Sequence, residues 1–354
     1  MKILFFNAST NIGGIESVFL TYASGLSKKG QDVFYVSCWD KGDFENVLPD
    51  NVKFIGLGNI RLRYSVIRMW RILKEIGPDV IITANDSTLV AYLATFFQKK
   101  KIRIITSQHS YLDNSDTLFY SRIIVKHIFK RCDRIIAVSD GIAQMLSEKY
   151  RINQCQVLVL NNPIDLRRVN KMADEYSIEE DDGYFVFVGR MTSVKNLKFL
   201  IDSYNIYRSK YEKYSLVLIG DGPDRVVIEE YARTTCYTSS IRFIGVKSNP
   251  FPYIKGAKLL LLSSTSEAFP VVLIEALAMG VTCVSTPTKG GIDILENGRL
   301  GYLSKDSNDV EQFAETINMA VDEPLDKQKL AYAVDMRFGL DNKVNALLDI
   351  INSL

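Results

Sequence analysis

No two of the five cysteines (Cys38, Cys132, Cys155, Cys236 and Cys283) form a CxxC pair, and an odd, scattered set supports neither a disulfide framework nor a zinc site. The pattern fits reduced structural thiols. No apolar run approaches the ~18 residues that a membrane span needs. The opening MKILFFNAST is too briefly apolar for a signal peptide and reads as a first buried strand. A cytoplasmic protein is therefore expected. Low-complexity tracts and solenoid periods are also missing. Net charge is only +2, and no recognition module for nucleic acid appears, so nucleic acid is disfavoured as a partner.

What is present fits a large soluble chain: 47% hydrophobic and 24% charged residues over 354 positions, enough for two domains with their own cores. Residues 1–165 hold 21 basic against 15 acidic residues, and the remainder 22 against 26. A basic half followed by an acidic one suggests different partners for the two. Short apolar runs alternate with longer amphipathic stretches. KILFFN, DVFYVS, DVIITA, RIITSQ, RIIAVS and QVLVLNN read as buried parallel strands, separated by helices over 15–29, 61–76, 87–98, 117–131 and 139–149. The series restarts with YFVFVG, SLVLIG, IRFIGV, KLLLLS and TCVSTP. Two such series predict an α/β protein of two doubly wound, Rossmann-like domains, with the ligand in the cleft where they face each other. The seam falls near NNPIDLRRV. The expected domains are 1–165, 166–335 and an amphipathic C-terminal helix in 336–354.

The second half carries the clearest chemistry. In SSTSEAFPVVLIEALAMG, residues 263–280, Pro270 is placed to open a helix as its first residue. The backbone N–H groups of Val271, Val272 and Leu273 would then be free for an anion, which the helix dipole favours. Glu267 precedes this helix and Glu275 lies inside it, with seven residues between. Paired carboxylates accept from vicinal sugar hydroxyls. In IGDGPD, Gly220 and Gly222 read as a turn with unusual dihedrals, since Asp221 and Asp224 lack the companions a Mg²⁺ site needs. No metal requirement is expected.

These segments, in this order, resemble the large retaining glycosyltransferase family four, of GT-B architecture. FVGRMTSVKNLKFLIDSY, LVLIGDGPDR, NPFPYIKGAKLLLLSSTSEAFPVVLIEALAMG and GGIDILENGRLGYL carry the likeness, which extends over nearly the whole chain. The resemblance implies that Arg190 and Lys195 bind the donor diphosphate, where fixed cations stabilise the departing charge. It implies that Glu267 contacts the donor sugar and Glu275 the ribose, and that the backbone at Gly245 and Val246 meets the base. Phe269, Val271 and Val272 complete the expected donor site, and the resemblance also implies that the C-terminal helix in 336–354 packs back on the first domain.

In the first half, Gly13 and Gly14 lie between the first strand and the first helix, a turn that lets backbone approach a ligand. The full G-x-G-x-x-G pattern is missing, which disfavours a dinucleotide. In the resembled family this loop approaches the donor phosphates and the acceptor. Glu16 falls in the following helical turn. His109 lies past a strand's carboxyl end, where the family often places a histidine near the donor sugar. His127 lies in a basic helix and reads as a surface or packing residue. The basic, aromatic-bearing segments 61–76 and 117–134 suit an anionic bilayer or a lipid-diphosphate acceptor.

The resemblance thus implies a metal-independent, retaining hexosyltransferase that moves a hexose or N-acetylhexosamine from a nucleotide-diphosphate sugar, UDP favoured, to a saccharide or lipid-linked saccharide. The setting would be bacterial surface-polysaccharide assembly (O-antigen or capsule) at the inner face of the plasma membrane. No cofactor is expected, the nucleotide-sugar being a substrate. Two other readings are a GT-B nucleotide-sugar epimerase and a non-catalytic nucleotide-sugar-binding protein. The first lacks this Arg190/Lys195 and Glu267/Glu275 set, and the second would need degraded site residues.

Overall fold

The computed structural model describes residues 1–8, 14–40, 48–58, 60–112, 124–178 and 183–354. The chain forms two compact units: Met1–Pro163 together with Leu340–Leu354, and Ile164–Gly339. The divisions thus lie at 163 and 339 rather than at 165 and 335.

The first unit is built on a seven-stranded parallel sheet of order β3-β2-β1-β4-β5-β6-β7. Its strands are β1 (Lys2–Asn7), β2 (Asp32–Ser37), β3 (Lys53–Gly56), β4 (Val80–Ala84), β5 (Arg103–Gln108), β6 (Arg134–Ala137) and β7 (Val157–Val159). The middle strands are apolar on both faces because helices cover both, and β4 is buried at all five positions. One core cluster joins β1 and β4 to α1 (Gly14–Lys28) through Phe5, Phe19, Tyr22 and Leu26. The other face carries α2 (Val66–Ile76) and α3 (Ser87–Thr95), which bury Met69, Leu73, Val90 and Ala94. A further helix, α4, spans Asp140–Glu148, capped by Ser139 Oγ accepting from Ile142 N–H. The helix expected from residue 61 begins later, after a 3₁₀ turn at Leu62–Tyr64. Residues 117–123 of the expected helix over 117–131 lie outside the described residues.

The second unit holds a six-stranded parallel sheet of order β10-β9-β8-β11-β12-β13, made by β8 (Tyr184–Val188), β9 (Ser215–Ile219), β10 (Ile241–Gly245), β11 (Leu259–Leu262), β12 (Cys283–Ser285) and β13 (Tyr302–Leu303). Counted within the unit this is 3-2-1-4-5-6, the same winding as the first six strands of the other sheet, and both units are Rossmann-like. The helices here are α5 (Leu166–Ala173), α6 (Leu197–Tyr211), α7 (Arg225–Arg233), α8 (Phe251–Gly256), α9 (Val271–Ala278), α10 (Lys289–Ile294), α11 (Val310–Asp322) and α12 (Lys327–Phe338).

After Gly339 the chain returns to the first unit as α13 (Leu340–Asn352), which lays Val344, Leu347 and Ile351 against α1. The contact is close because α1 has Gly25 there; a Cβ at that position would strike Val344. All five cysteines are free thiols. Among the described residues no helix is long and apolar enough to cross a membrane.

Candidate active site

In the second unit the winding reverses between β8 and β11, and the loops leaving these two strands bring together residues distant in sequence. Beyond β8 the chain makes a 3₁₀ turn at Ser193–Lys195, and Asn196 takes a left-handed φ of 50° before α6 begins. Asparagine tolerates that conformation. The turn aims Lys195 at the loop beyond β11, where its Nζ lies 2.5 Å from Glu267 Oε1. Ser264 Oγ donates to the same carboxylate oxygen at 2.7 Å.

The two loops are stitched by main chain as well. Thr265 N–H donates to Val194 O at 2.8 Å, and Ser263 Oγ donates to Lys195 O at 2.7 Å. On the far side Gly290 N–H donates to Glu267 O at 3.0 Å. A Cβ on Gly290 would press on the Ala268 backbone at 2.8 Å, so only glycine lets α10 come this near. Glu267 is held by partners on three elements before any ligand arrives, which is the preorganisation a polar site needs.

Pro270 is not the first residue of α9 but the one before it: its ψ of 92° is extended and its carbonyl caps the helix. The first turn tightens, so that Leu273 N–H donates to Pro270 O at 3.0 Å. Two N–H groups, those of Val271 and Val272, rather than three, are left without a protein acceptor among the described residues. Arg190 is exposed on the turn after β8 and makes no ion pair among the described residues.

Glu275, one turn further into α9, is half-buried, and desolvation raises its carboxyl to about 7; the Arg168 guanidinium on α5 opposes this in part. Hydroxyls donating to this carboxyl would favour its charged form. The Phe269 ring is buried against Phe338, centroids 5.7 Å apart, leaving mainly its backbone for a ligand. Gly245 ends β10 with a φ of 71°, and the next residue, Val246, is 70% exposed.

The glycine-rich turn after β9 is a brace. Gly220 has a φ of 132°, and a Cβ there would strike Gly189 O. Gly222, expected to share an unusual dihedral, does not have a positive φ; it is needed because the Met191 carbonyl packs directly against it. Met191 N–H donates to Asp221 O at 2.8 Å, so this turn fixes the loop that carries Arg190. Asp221 is engaged by Gly222 N–H and by Arg225. Among the described residues no group of three His, Cys, Asp or Glu is arranged to hold a metal ion.

In the first unit the carboxyl ends of β1, β4 and β5 form a second polar cluster. Gly13 lies outside the described residues, and Gly14 opens α1. Glu16, in the first turn of α1, is buried and accepts from Asn7 Nδ2 at 2.7 Å. His109 packs edge-on to Phe19, ring centroids 6.2 Å apart. Ser107 Oγ donates to Thr83 O at 3.2 Å and contacts His109 Nε2 at 2.9 Å. With its own proton committed, Ser107 accepts from Nε2–H, which leaves the lone pair on Nδ1. Burial lowers the imidazole to about 4, so His109 is neutral at physiological pH.

Sequence reasoning missed Ser264, Ser107 and Asn7. Their one signal was a short polar side chain at or just past the carboxyl end of an apolar strand, which is also what an ordinary turn shows.

Two family profiles match consecutive stretches of the chain: "Glycosyltransferase Family 4" over residues 12–168 and "Glycosyl transferases group 1" over 169–335. Lipopolysaccharide 1,6-galactosyltransferase of Salmonella typhimurium is 28% identical over 322 residues, covering 86% of this chain and 85% of that one. N-acetylgalactosamine-N,N'-diacetylbacillosaminyl-diphospho-undecaprenol 4-alpha-N-acetylgalactosaminyltransferase of Campylobacter jejuni is 24% identical and covers 92% of each. Among solved structures, Anabaena HepE in complex with UDP-glucose superposes with a TM-score of 0.81 at 19% identity over all of both chains. The two profiles meet at the boundary between the two Rossmann-like units, and the chain belongs to glycosyltransferase family four, with the GT-B fold.

Proposed function

We propose that this glycosyltransferase moves a hexose or N-acetylhexosamine, with retention, from a UDP-sugar to a lipid-linked saccharide in the assembly of a bacterial surface polysaccharide. The observation that carries the donor half is the Lys195–Glu267 pair beside the start of α9. One ammonium hydrogen goes to Glu267, and the others are available to phosphate oxygens. Arg190 and the N–H groups of Val271 and Val272 supply further positive charge, which substitutes for a metal ion as the diphosphate leaves. Glu267 takes sugar hydroxyls, Glu275 the ribose diol, and the backbone around Val246 the base. The neutral His109 orients the sugar as a hydrogen-bonding group and not as a base.

In this reading the C1–O bond to the diphosphate breaks and the acceptor oxygen bonds to C1 on the same face. The departing phosphate oxygen takes the acceptor proton. No carboxylate serves as covalent nucleophile, in contrast to retaining glycosidases. Support for uridine and for a lipid-linked acceptor comes from relatives: HepE is crystallised with UDP-glucose, and the Campylobacter enzyme is named for a diphospho-undecaprenol substrate.

The test is a screen of UDP- and GDP-sugars with a saccharide–diphosphate–lipid acceptor, following nucleoside diphosphate release and the anomeric configuration of the product. Release from one UDP-sugar, an α-linked product from an α-donor and full activity in EDTA are expected. An inverted product, or activity that EDTA abolishes and Mg²⁺ or Mn²⁺ restores, would overturn the reading.

A further inference from the structure

Strand periodicity sets Ser107 against His109. Side chains two residues apart on a strand share a face. Ile105 and Ser107 thus lie on the side of β5 that meets the core under α1, where Ile105 joins Phe5 and Phe19. His109, the first residue past the strand, comes back over the same side and meets Phe19. Thr106 turns the other way and pairs its Oγ1 with Thr88 Oγ1 of α3 at 2.7 Å. Across the ladder Ser107 is opposite Ala84, the last residue of β4, which brings the preceding carbonyl, Thr83 O, within 3.2 Å of Ser107 Oγ. Ser107 is buried, so bulk water does not compete for its hydroxyl.

That hydroxyl has one proton and two neighbours. Thr83 O is a carbonyl oxygen and only accepts, which takes the proton; the imidazole Nε2, 2.9 Å from Oγ, is then the donor. Were Nε2 bare, it and the carbonyl would compete for a single proton, and one of two acceptors would go without. The edge-on Phe19 ring, 6.2 Å away between centroids, limits rotation of the imidazole. Nδ1 has no hydrogen-bond partner among the described residues. It is a lone pair of fixed direction, which takes an O–H or N–H and turns away oxygens that carry no proton, those of a diphosphate included. Neutrality alone would not achieve this, since both tautomers are neutral and only one accepts at Nδ1.

We propose that Ser107 is a positioning residue that locks His109 in the Nε2–H tautomer, so that Nδ1 accepts a hydroxyl of the donor sugar and His109 selects for that hydroxyl rather than for the diphosphate. The lock concerns the first unit alone; the sugar contact rests on the nucleotide-sugar reading given above.

The test has one arm for each. The chain contains two histidines, and His127 is exposed, so the full chain carrying His127→Gln shows a single imidazole. Long-range proton–nitrogen NMR of ¹⁵N-histidine-labelled protein then reads the tautomer, with the proton expected on Nε2 and Nδ1 bare. Adding Ser107→Ala should give a mixture of tautomers, and Ser107→Thr, which keeps the hydroxyl, should restore the single form. In calorimetric titrations Ser107→Ala should bind the UDP-sugar that supports transfer about fivefold more weakly than wild type, bind UDP equally well, and regain wild-type affinity as Ser107→Thr. Fluorescence of Trp39 and Trp70, both in the first unit, checks that each variant is folded. A proton on Nδ1 in the chain with Ser107 intact, a result that needs no substitution at 107, would overturn the lock, as would an unchanged tautomer in Ser107→Ala. Unchanged UDP-sugar affinity in Ser107→Ala, or an equal loss for UDP, would overturn the sugar contact. Wild type that binds no UDP-sugar would strike the donor reading and the sugar contact with it, while the spectrum still decides the lock.

Discussion

Removing the Lys195 ammonium leaves Glu267 with Ser264 as its remaining side-chain partner and takes a fixed cation from the place where diphosphate charge develops. Lys195→Ala is therefore expected to lower kcat by about 10²–10³-fold, with an unchanged circular-dichroism spectrum, followed as nucleoside diphosphate release. Glu275 gives a prediction that needs no substrate. Its carboxyl titrates near 7 in the folded chain, well above its value in an unfolded one. Between those values the folded state holds a proton that the unfolded state has lost, so stability falls as pH rises through the window and stays lowered above it. Glu275→Gln removes the penalty. Thermal melts should show the variant more stable than wild type by roughly 3 kcal/mol at about pH 8 and equal to it near pH 4. The same substitution should weaken UDP binding. At this scale the two glutamates were legible because their spacing is local, within one loop and one helix. The ion pair to Lys195 spans 72 positions and forms only because β8 and β11 are neighbours in the sheet.

The turn after β9 acts on Arg190 without touching a ligand. Gly222→Ala places a methyl group against the Met191 carbonyl, and the loop between β8 and α6 must shift. Expected are a loss of about 1–3 kcal/mol in thermal stability and a raised donor KM, measured by calorimetry and steady-state kinetics; Asp224→Ala, on the same turn, should do neither to a comparable extent. Elements whose residues are apolar on both faces, such as β4 and β11, were readable from their runs of Val, Ile and Leu. β3 was not, since KFIG at the sheet edge is only partly buried, and β13 is two residues long. The start of α2 was misplaced because Arg61 and Arg63 continue its basic character, whereas the backbone there is a 3₁₀ turn.

For the molecule as a whole, two doubly wound parallel sheets were implied by two series of strands separated by helices, because parallel strands need crossover connections; the order 3-2-1-4-5-6 within each was not. The placing of α13 with the first unit came from the family resemblance alone, since its sequence shows only an apolar stripe and no address. That stripe buries Val344, Leu347 and Ile351 completely or nearly so. At roughly 1.5–3 kcal/mol each, they contribute an amount comparable to the net stability of a domain. Deleting Leu340–Leu354 should leave amides of the second unit protected in hydrogen exchange while those of α1 and β1 exchange freely. The discontinuous first unit also sets an order of events during translation. Residues 164–339 form a complete unit and can fold once they have cleared the ribosome, whereas the earlier-made residues 1–163 must wait for 340–354 to emerge. Throughout that interval the side of α1 at Gly25, which Val344 later covers, stays open, so the nascent chain presents a chaperone with its oldest segment last to be finished.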